Sequence, residues 1–157
     1  MFKNHKNNLY NILLTLSRNI FFYKNIKLPD TFETRLYLMF IHFSIMMMVS
    51  KSKGKKFSQD AYDFLFYNIE YNLRESGLGD VSVNKKMKEY INLFYSILEK
   101  IEMWKSLDKC KKVELIANFI NIEDNNNFYA DYFDKYQNFV LNNSLKNFTK
   151  DILEPKF

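Results

Sequence analysis

Glycine and proline are scarce in this sequence, which has three glycines and two prolines among 157 residues. Average proteins contain roughly 7% glycine and 5% proline, so both residues fall far below their usual level. This scarcity argues against turn-rich β-sandwiches and against nucleotide-binding folds that depend on glycine loops. Helices are favoured instead.

Residues that bind metals or act as nucleophiles are also scarce. The chain has one cysteine, Cys110, and two histidines, His5 and His42. A single cysteine cannot form an intramolecular disulfide, and these three residues do not match a structural zinc site. The sequence contains neither a Walker loop nor a nucleophile-elbow motif. We therefore predict a protein that is not an enzyme and that uses no cofactor and no metal.

Acidic residues are missing from the first part of the chain, since none precedes Asp30. A basic, acid-poor leader is typical of transit peptides. Here, however, apolar residues at helical spacing continue into Phe21-Phe22-Tyr23, so we assign the leader to the folded domain. Five basic residues lie in this leader and equal the whole net charge of +5: Lys3, Lys6, Arg18, Lys24 and Lys27.

The longest stretch without a charged residue covers fifteen positions, 36–50. A membrane-spanning helix needs about 20 apolar residues, so this stretch predicts a buried helix of a soluble, intracellular protein. Apolar spacings of three and four predict an all-α fold, a single compact domain of about six helices over residues 1–157. The predicted helices cover about 8–20, 31–50, 59–76, 82–104, 113–120 and 127–150.

Capping residues support these boundaries. Asp30 with Glu33 has the reciprocal spacing of an N-terminal capping box, and Ser58 is placed to cap the next helix. Gly77 is placed where a left-handed C-terminal cap belongs. Inside the same predicted helix, Glu70 precedes Arg74 by four residues, the favourable order for an ion pair.

The turn around Gly77 and Gly79 is followed by three lysines, Lys85, Lys86 and Lys88. Cations near a helix N-terminus are unfavourable, by ~0.3 to 1 kcal/mol each. Two interpretations remain open: the lysines contact an anion or an acidic partner, or they are simply solvated.

Arg35 and His42 are seven residues apart and share one face of the second predicted helix. They face either a partner or an internal carboxylate such as Asp63; alternatively, His42 is a buried histidine with satisfied hydrogen bonds. The following Met46-Met47-Met48 run is interpreted as core, although methionine also adapts to irregular apolar partners.

A specific stretch of the chain surrounds the turn glycines Gly77 and Gly79, and further positions accompany it. They are Leu73-Arg74-Glu75-Ser76-Gly77-Leu78-Gly79-Asp80, with Phe22-Tyr23, Leu28-Pro29-Asp30-Thr31, Arg35, His42, Val83, Lys86 and Lys88. Together these residues resemble the ubiquinol–cytochrome c chaperone family over about residues 10–121. Phe-Tyr-Gly-Arg is the usual family sequence where this chain has Phe94-Tyr95-Ser96-Ile97, and Ile101 replaces an expected tyrosine.

The resemblance implies a non-enzymatic assembly factor for cytochrome b in biogenesis of the ubiquinol–cytochrome c reductase (bc1) complex. Cytochrome b would be the client, with a small partner protein, the ribosome or an anionic membrane surface as further partners, but not DNA. The location would be the cytoplasmic face of a bacterial inner membrane, or the mitochondrial matrix in a eukaryote. The implied partner-binding residues are Asp30, Arg35, His42, Arg74, Glu75, Gly77, Gly79, Asp80, Lys86 and Lys88.

A second function remains open at this point. The basic leader and the lysines after Gly79 also fit a helical RNA-binding or ribosome-binding module. Such a module would lose affinity steeply as salt rises, whereas burial of an apolar client surface would not.

Overall fold

The computed structural model describes residues 7–55, 59–120 and 127–142, and these ranges contain helices and no strand. Six of these helices have eleven residues or more, and one further helix has only five. The all-α, single-domain prediction of about six helices is confirmed. The helices are α1 (Asn7–Ser17), α2 (Ile20–Lys24), α3 (Phe32–Ser52), α4 (Gln59–Glu75), α5 (Asp80–Ile101), α6 (Lys109–Phe119) and α7 (Phe128–Asn142), with a 3-10 turn at Trp104–Ser106.

Helix α3 forms the centre of the fold and packs against α1, α5 and α7. Its residues are buried on nearly every side, and Met46 and Met48 belong to the core as predicted. Among the described residues α3 is also the one helix with the length and apolarity of a membrane span. Because most of its residues are buried against neighbouring helices, it has the environment of a central core helix.

The first predicted helix, about 8–20, extends too far at its C-terminal end. Helix α1 ends at Ser17, and a separate helix α2 begins at Ile20. The side chain of Asn19 accepts a hydrogen bond from the backbone N–H of Phe21 at 3.1 Å, so Asn19 caps α2 instead of continuing α1. As a consequence Ile20 is 62% exposed, whereas Phe22 is fully buried.

The cap of α3 is Thr31 and not Asp30. The hydroxyl of Thr31 accepts a hydrogen bond from the backbone N–H of Thr34 at 3.2 Å, which satisfies one of the free N–H groups of the first turn. Because Asp30 is not the cap, its carboxylate can pair with Arg35. The sequence prediction placed the cap one residue too early because both residue types are good N-caps.

Some predicted features lie outside the described residues. The cap at Ser58, the leader residues Lys3 and Lys6, and the predicted helix beyond 142 all belong to this group.

Candidate functional site

Gly77 shapes the turn that joins α4 to α5. Its φ of +94° lies in the left-handed region, and its N–H donates to the carbonyl of Arg74 at 3.0 Å. Residues with a side chain rarely adopt this conformation, so glycine ends α4 here. The predicted left-handed cap is confirmed. Gly79 follows with an extended backbone and caps α5, while Leu78 between them packs against the core.

The guanidinium of Arg74 connects the two helices across this turn. It donates to the carboxylate of Glu70 at 3.0 Å and also to that of Asp80 in the first turn of α5. Both hydrogen bonds raise the pKa of Arg74, that to Asp80 first. The predicted pair of Glu70 with Arg74 is confirmed, and Asp80 extends it to a bridge between helices.

Glu75 belongs to the same exposed surface. Its negative charge, together with a hydrogen bond from the Tyr71 hydroxyl, raises the pKa of Tyr71. Tyr71 lies one turn before Glu75 on α4 and is 52% exposed. We call the exposed surface formed by residues 70–81 the turn surface.

The lysines of α5 do not oppose the helix dipole. Helix α5 begins at Asp80, two to three residues earlier than predicted, so its first turn carries an acidic residue where negative charge is favourable. Lys85 is the sixth residue of the helix and lies beyond that turn. Lys86 places its ammonium 5.9 Å from the centroid of the Tyr90 ring, and Lys88 is exposed.

A groove between α1, α3 and α4 lies beside the turn. It has a volume of about 410 Å³, and its wall includes Arg35 from α3, Leu73 from α4 and Ser76, which directly follows α4. Arg35 donates to Asp30 at 2.5 Å. Arg35 is thus the one predicted binding residue in the groove wall, and Asp30 lies next to the groove through its pair with Arg35.

His42 is the exception among the predicted binding residues, because its side chain is completely buried. Its Nδ1 lies 2.6 Å from the carbonyl oxygen of Leu38, so Nδ1 carries the proton and Nε2 accepts from the hydroxyl of Tyr132 at 2.8 Å. Burial lowers the pKa of His42 to about 4, and the ring is neutral at physiological pH. The interpretation of a satisfied buried histidine is confirmed.

Two predictions attached to His42 are wrong as a result. Its ring cannot touch a partner directly, and its hydrogen-bond partners are Leu38 and Tyr132 instead of Asp63. Arg35, seven residues earlier, is directed to Asp30 and not to the core. The two residues share a helix face in the sequence pattern, but one end of that face is at the surface and the other is covered by α7.

Three polar residues of the groove, Arg18, Tyr10 and Asn72, were not predicted from the sequence as binding residues. Arg18 lies at the end of α1 and lines the groove, and Asn72 donates a hydrogen bond of 2.6 Å to the hydroxyl of Tyr10 inside it. No local pattern signals these contacts, because Tyr10 and Asn72 are 62 positions apart. Only the packing of α1 on α4 brings them together.

Two positions where the chain departs from the family sequence lie in the core, whereas Ser96 is half-buried. Ile97 and Ile101 are both fully buried on α5. An arginine at position 97 would therefore be desolvated in this fold, and an isoleucine fits the surrounding apolar residues.

In the described part of the chain, no three histidine, cysteine or carboxylate side chains cluster. Cys110 is exposed on α6.

Comparison with curated protein sequences gives no match, and comparison with solved structures gives none either. The sequence model of the ubiquinol–cytochrome c chaperone family matches residues 24–111, which is more than half of the chain. The matched range begins within α2 and ends in the first turn of α6, so it includes the whole turn surface. The chain therefore belongs to the ubiquinol–cytochrome c chaperone family, and this membership indicates a chaperone role in assembly of the bc1 complex.

Proposed function

We propose that this chaperone binds newly made cytochrome b and holds it until it enters the bc1 complex, with the turn surface as the docking site. The observation that carries the proposal is the exposed, bridged turn inside the matched range. The family supplies the assembly role, and the physical character of this surface supports the choice of docking site.

The turn surface has the composition of a protein interface. Val81 is 85% exposed and Tyr71 is 52% exposed. Val81 follows Asp80, the partner of Arg74, and Tyr71 precedes Arg74 by three residues. Tyrosine and arginine are enriched among the residues that contribute most to protein binding. An exposed valine in the first turn of a helix has no role in the core, which supports a role in contact with an apolar client.

The turn surface is also held in one geometry. Gly77 sets the backbone, Leu78 anchors the turn to the core, and Arg74 joins Glu70 to Asp80. A surface ordered before binding loses less conformational entropy when the partner arrives. Exposed ion pairs contribute little to stability, so their arrangement here is better explained by docking than by folding.

We assign the remaining predicted residues to the same function. Asp30 and Arg35 would contact a second partner at the groove edge, for which a small partner protein is the candidate. Lys86 and Lys88 would approach an anionic membrane surface, where each nearby cation adds about 1 kcal/mol of attraction. The protein would act beside the membrane that receives cytochrome b, on the cytoplasmic face in bacteria or in the matrix in mitochondria.

The alternative function is an RNA-binding or ribosome-binding module. One observation favours it: Lys85 and Lys88 are both exposed and lie one helical turn apart on α5. Such lysines would track a phosphate backbone, and their binding would weaken steeply with salt.

The two functions are separated by site-directed crosslinking in lysates of cells that make the bc1 complex, with the salt concentration set before irradiation. Val81 is replaced by photo-reactive benzoylphenylalanine, and the matched control places the same group at Met103. Met103 is 55% exposed and follows the other end of α5, roughly 30 Å away along the helix. We expect cytochrome b to be captured from position 81 and not from position 103, at low and at high salt.

Three outcomes would contradict the proposal. Equal capture of cytochrome b from both positions would remove the turn surface as the docking site. Absence of cytochrome b from both would remove it as the client. Capture of RNA or ribosomal proteins from position 81, lost at high salt, would establish the alternative.

A further inference from the structure

The groove between α1, α3 and α4 is apolar along most of its wall. Its volume of about 410 Å³ falls in the lower part of the ~300 to 1,000 Å³ range of small-molecule sites. The apolar side chains come from all three helices, so the groove is a gap in packing and not a patch on one helix. They are Leu14, Phe32, Leu36, Met39, Ile69 and Leu73.

Positive charge is concentrated at one part of this groove. Among the described residues, Arg18 and Arg35 are the only charged ones in its wall, and both also line a neighbouring cavity of about 330 Å³. From the same described part of the chain, that cavity adds Lys24 and the carboxylate of Asp30. The two cavities therefore meet at a region where the described basic residues outnumber the acidic one.

The two arginines differ in what they already bind. Arg35 is paired with Asp30, whereas no described carboxylate forms an ion pair with Arg18. Both lie close enough to Tyr23 for their charges to lower the pKa of its phenol, against the larger raising effect of burial. An anion held between these guanidinium groups would reduce the net positive charge of the region. A carboxylate suits this position because arginine forms paired hydrogen bonds with carboxylates.

The wall also contains two polar side chains from different helices, Asn72 and Tyr10, and these form a hydrogen bond with each other. Because these two groups form a hydrogen bond with each other, a ligand along the apolar part of the wall need not supply polar atoms. The groove thus offers one cationic region and a continuous apolar wall.

From this arrangement we propose that the groove binds a single-chain fatty acid, with its carboxylate between Arg18 and Arg35 and its alkyl chain along the apolar wall. A single chain matches a site at the lower end of the small-molecule range. The inference goes beyond the chaperone function and does not depend on which client the turn surface binds.

Calorimetric titration of the full chain with dodecanoate, below its micelle concentration, tests the site. We expect one dodecanoate per chain and much weaker binding of dodecanol, which has the same alkyl chain without the charge. Inorganic phosphate alone should not bind measurably. Arg18→Gln should weaken dodecanoate binding about tenfold, the effect of one charge-assisted hydrogen bond.

Two variants complete the test. Leu14→Trp should abolish binding, because the larger side chain fills the groove from its half-buried position on α1. Lys105→Gln removes the same charge as Arg18→Gln at an exposed position outside both cavities and should leave binding unchanged. The melting temperature of each variant verifies that it is folded, and the exposed Arg18 keeps the test valid if Leu14→Trp does not fold.

Several results would overturn the proposal. Equal binding of dodecanol and dodecanoate would mean that the arginines do not recognise the head group. Tighter binding of dodecyl phosphate than of dodecanoate would contradict the carboxylate assignment. Failure of dodecanoate to bind, combined with binding of an acidic amphipathic peptide that Leu14→Trp abolishes, would identify the groove as a protein docking site.

Discussion

The imidazole of His42 accepts a buried hydrogen bond of 2.8 Å from the hydroxyl of Tyr132, and this bond joins the central helix α3 to α7. The surrounding residues are aromatic: the Phe133 ring centroid lies 5.2 Å and the Tyr136 ring centroid 4.7 Å from that of His42. Tyr136 also donates to the backbone carbonyl of His42 at 3.1 Å. These bonds satisfy polar groups inside an otherwise apolar interface.

Loss of the Tyr132 hydroxyl should therefore destabilise the fold. Tyr132→Phe leaves Nε2 of His42 buried without a donor, and we expect the free energy of unfolding to fall by ~1 to 3 kcal/mol. Tyr129→Phe is the matched control on the same helix, since the Tyr129 hydroxyl is buried and has no partner among the described residues. Removing that hydroxyl should be neutral or stabilising. Equal effects of the two variants in urea unfolding would contradict the assigned hydrogen bond.

Burial of His42 should make the stability of the protein depend on pH. The pKa of His42 is lowered from 6.5 to about 4 in the folded chain, so the unfolded chain binds more protons between these values. Stability therefore falls as the pH drops from about 6.5 towards 4, by about 3 kcal/mol at the full shift. Above pH 6.5 both states are neutral at this position, and His42 contributes no pH dependence.

The contribution of His42 is isolated by comparison with His42→Gln. Urea unfolding of both proteins between pH 7.5 and 4.5 should give a steeper loss for the wild type, because glutamine does not titrate. The slopes are compared and not the absolute stabilities, since the substitution itself disturbs the core. Parallel slopes, or an imidazole that titrates near 6.5 by NMR, would refute the assignment.

The left-handed backbone at Gly77 predicts how the turn responds to substitution. Its φ of +94° is unfavourable for an L-residue, although a Cβ at this position would meet no atom within 4 Å. Gly77→Ala should cost ~1 to 2 kcal/mol from backbone strain alone. Gly79→Ala should be nearly neutral, because Gly79 has a φ of −73° and also has open space for a Cβ. A melting temperature that falls equally for both variants would contradict the left-handed cap.

Local features of this fold were predictable from the sequence. The spacing of apolar residues placed the long helices, and the pairing of Glu70 with Arg74 depends only on their separation along one helix. Gly77 was recognisable as a C-cap because glycine tolerates positive φ better than any other residue. Where two adjacent residues both favour capping, as Asp30 and Thr31 do, the sequence alone does not decide between them.

Contacts between distant segments were not predictable. His42 and Tyr132 are 90 positions apart, and the periodicity of α3 does not indicate which helix covers that face. Helix α3 is buried nearly all round, so it carries no polar face from which its orientation could be inferred. For the same reason the groove lined by Arg18 emerged only from the packed helices.

The last prediction separates docking from folding at the turn surface. Arg74 pairs with Glu70 and Asp80, but its side chain is 44% exposed and that of Asp80 81% exposed. Exposed ion pairs of this kind add little to stability. Arg74→Gln should therefore leave the melting temperature almost unchanged, while the amount of assembled bc1 complex falls several-fold in cells that depend on this variant.

The control for Arg74→Gln is Lys109→Gln. Lys109 forms a comparable exposed pair with Asp131 at 3.0 Å, between α6 and α7 and away from the turn surface. Its substitution should change neither the melting temperature nor the level of bc1 complex, which is measured by native gel against the cytochrome b transcript. If both variants reduce assembly equally, the effect is one of general surface charge. If Arg74→Gln lowers the melting temperature in proportion to assembly, the bridge serves folding and the docking role is refuted.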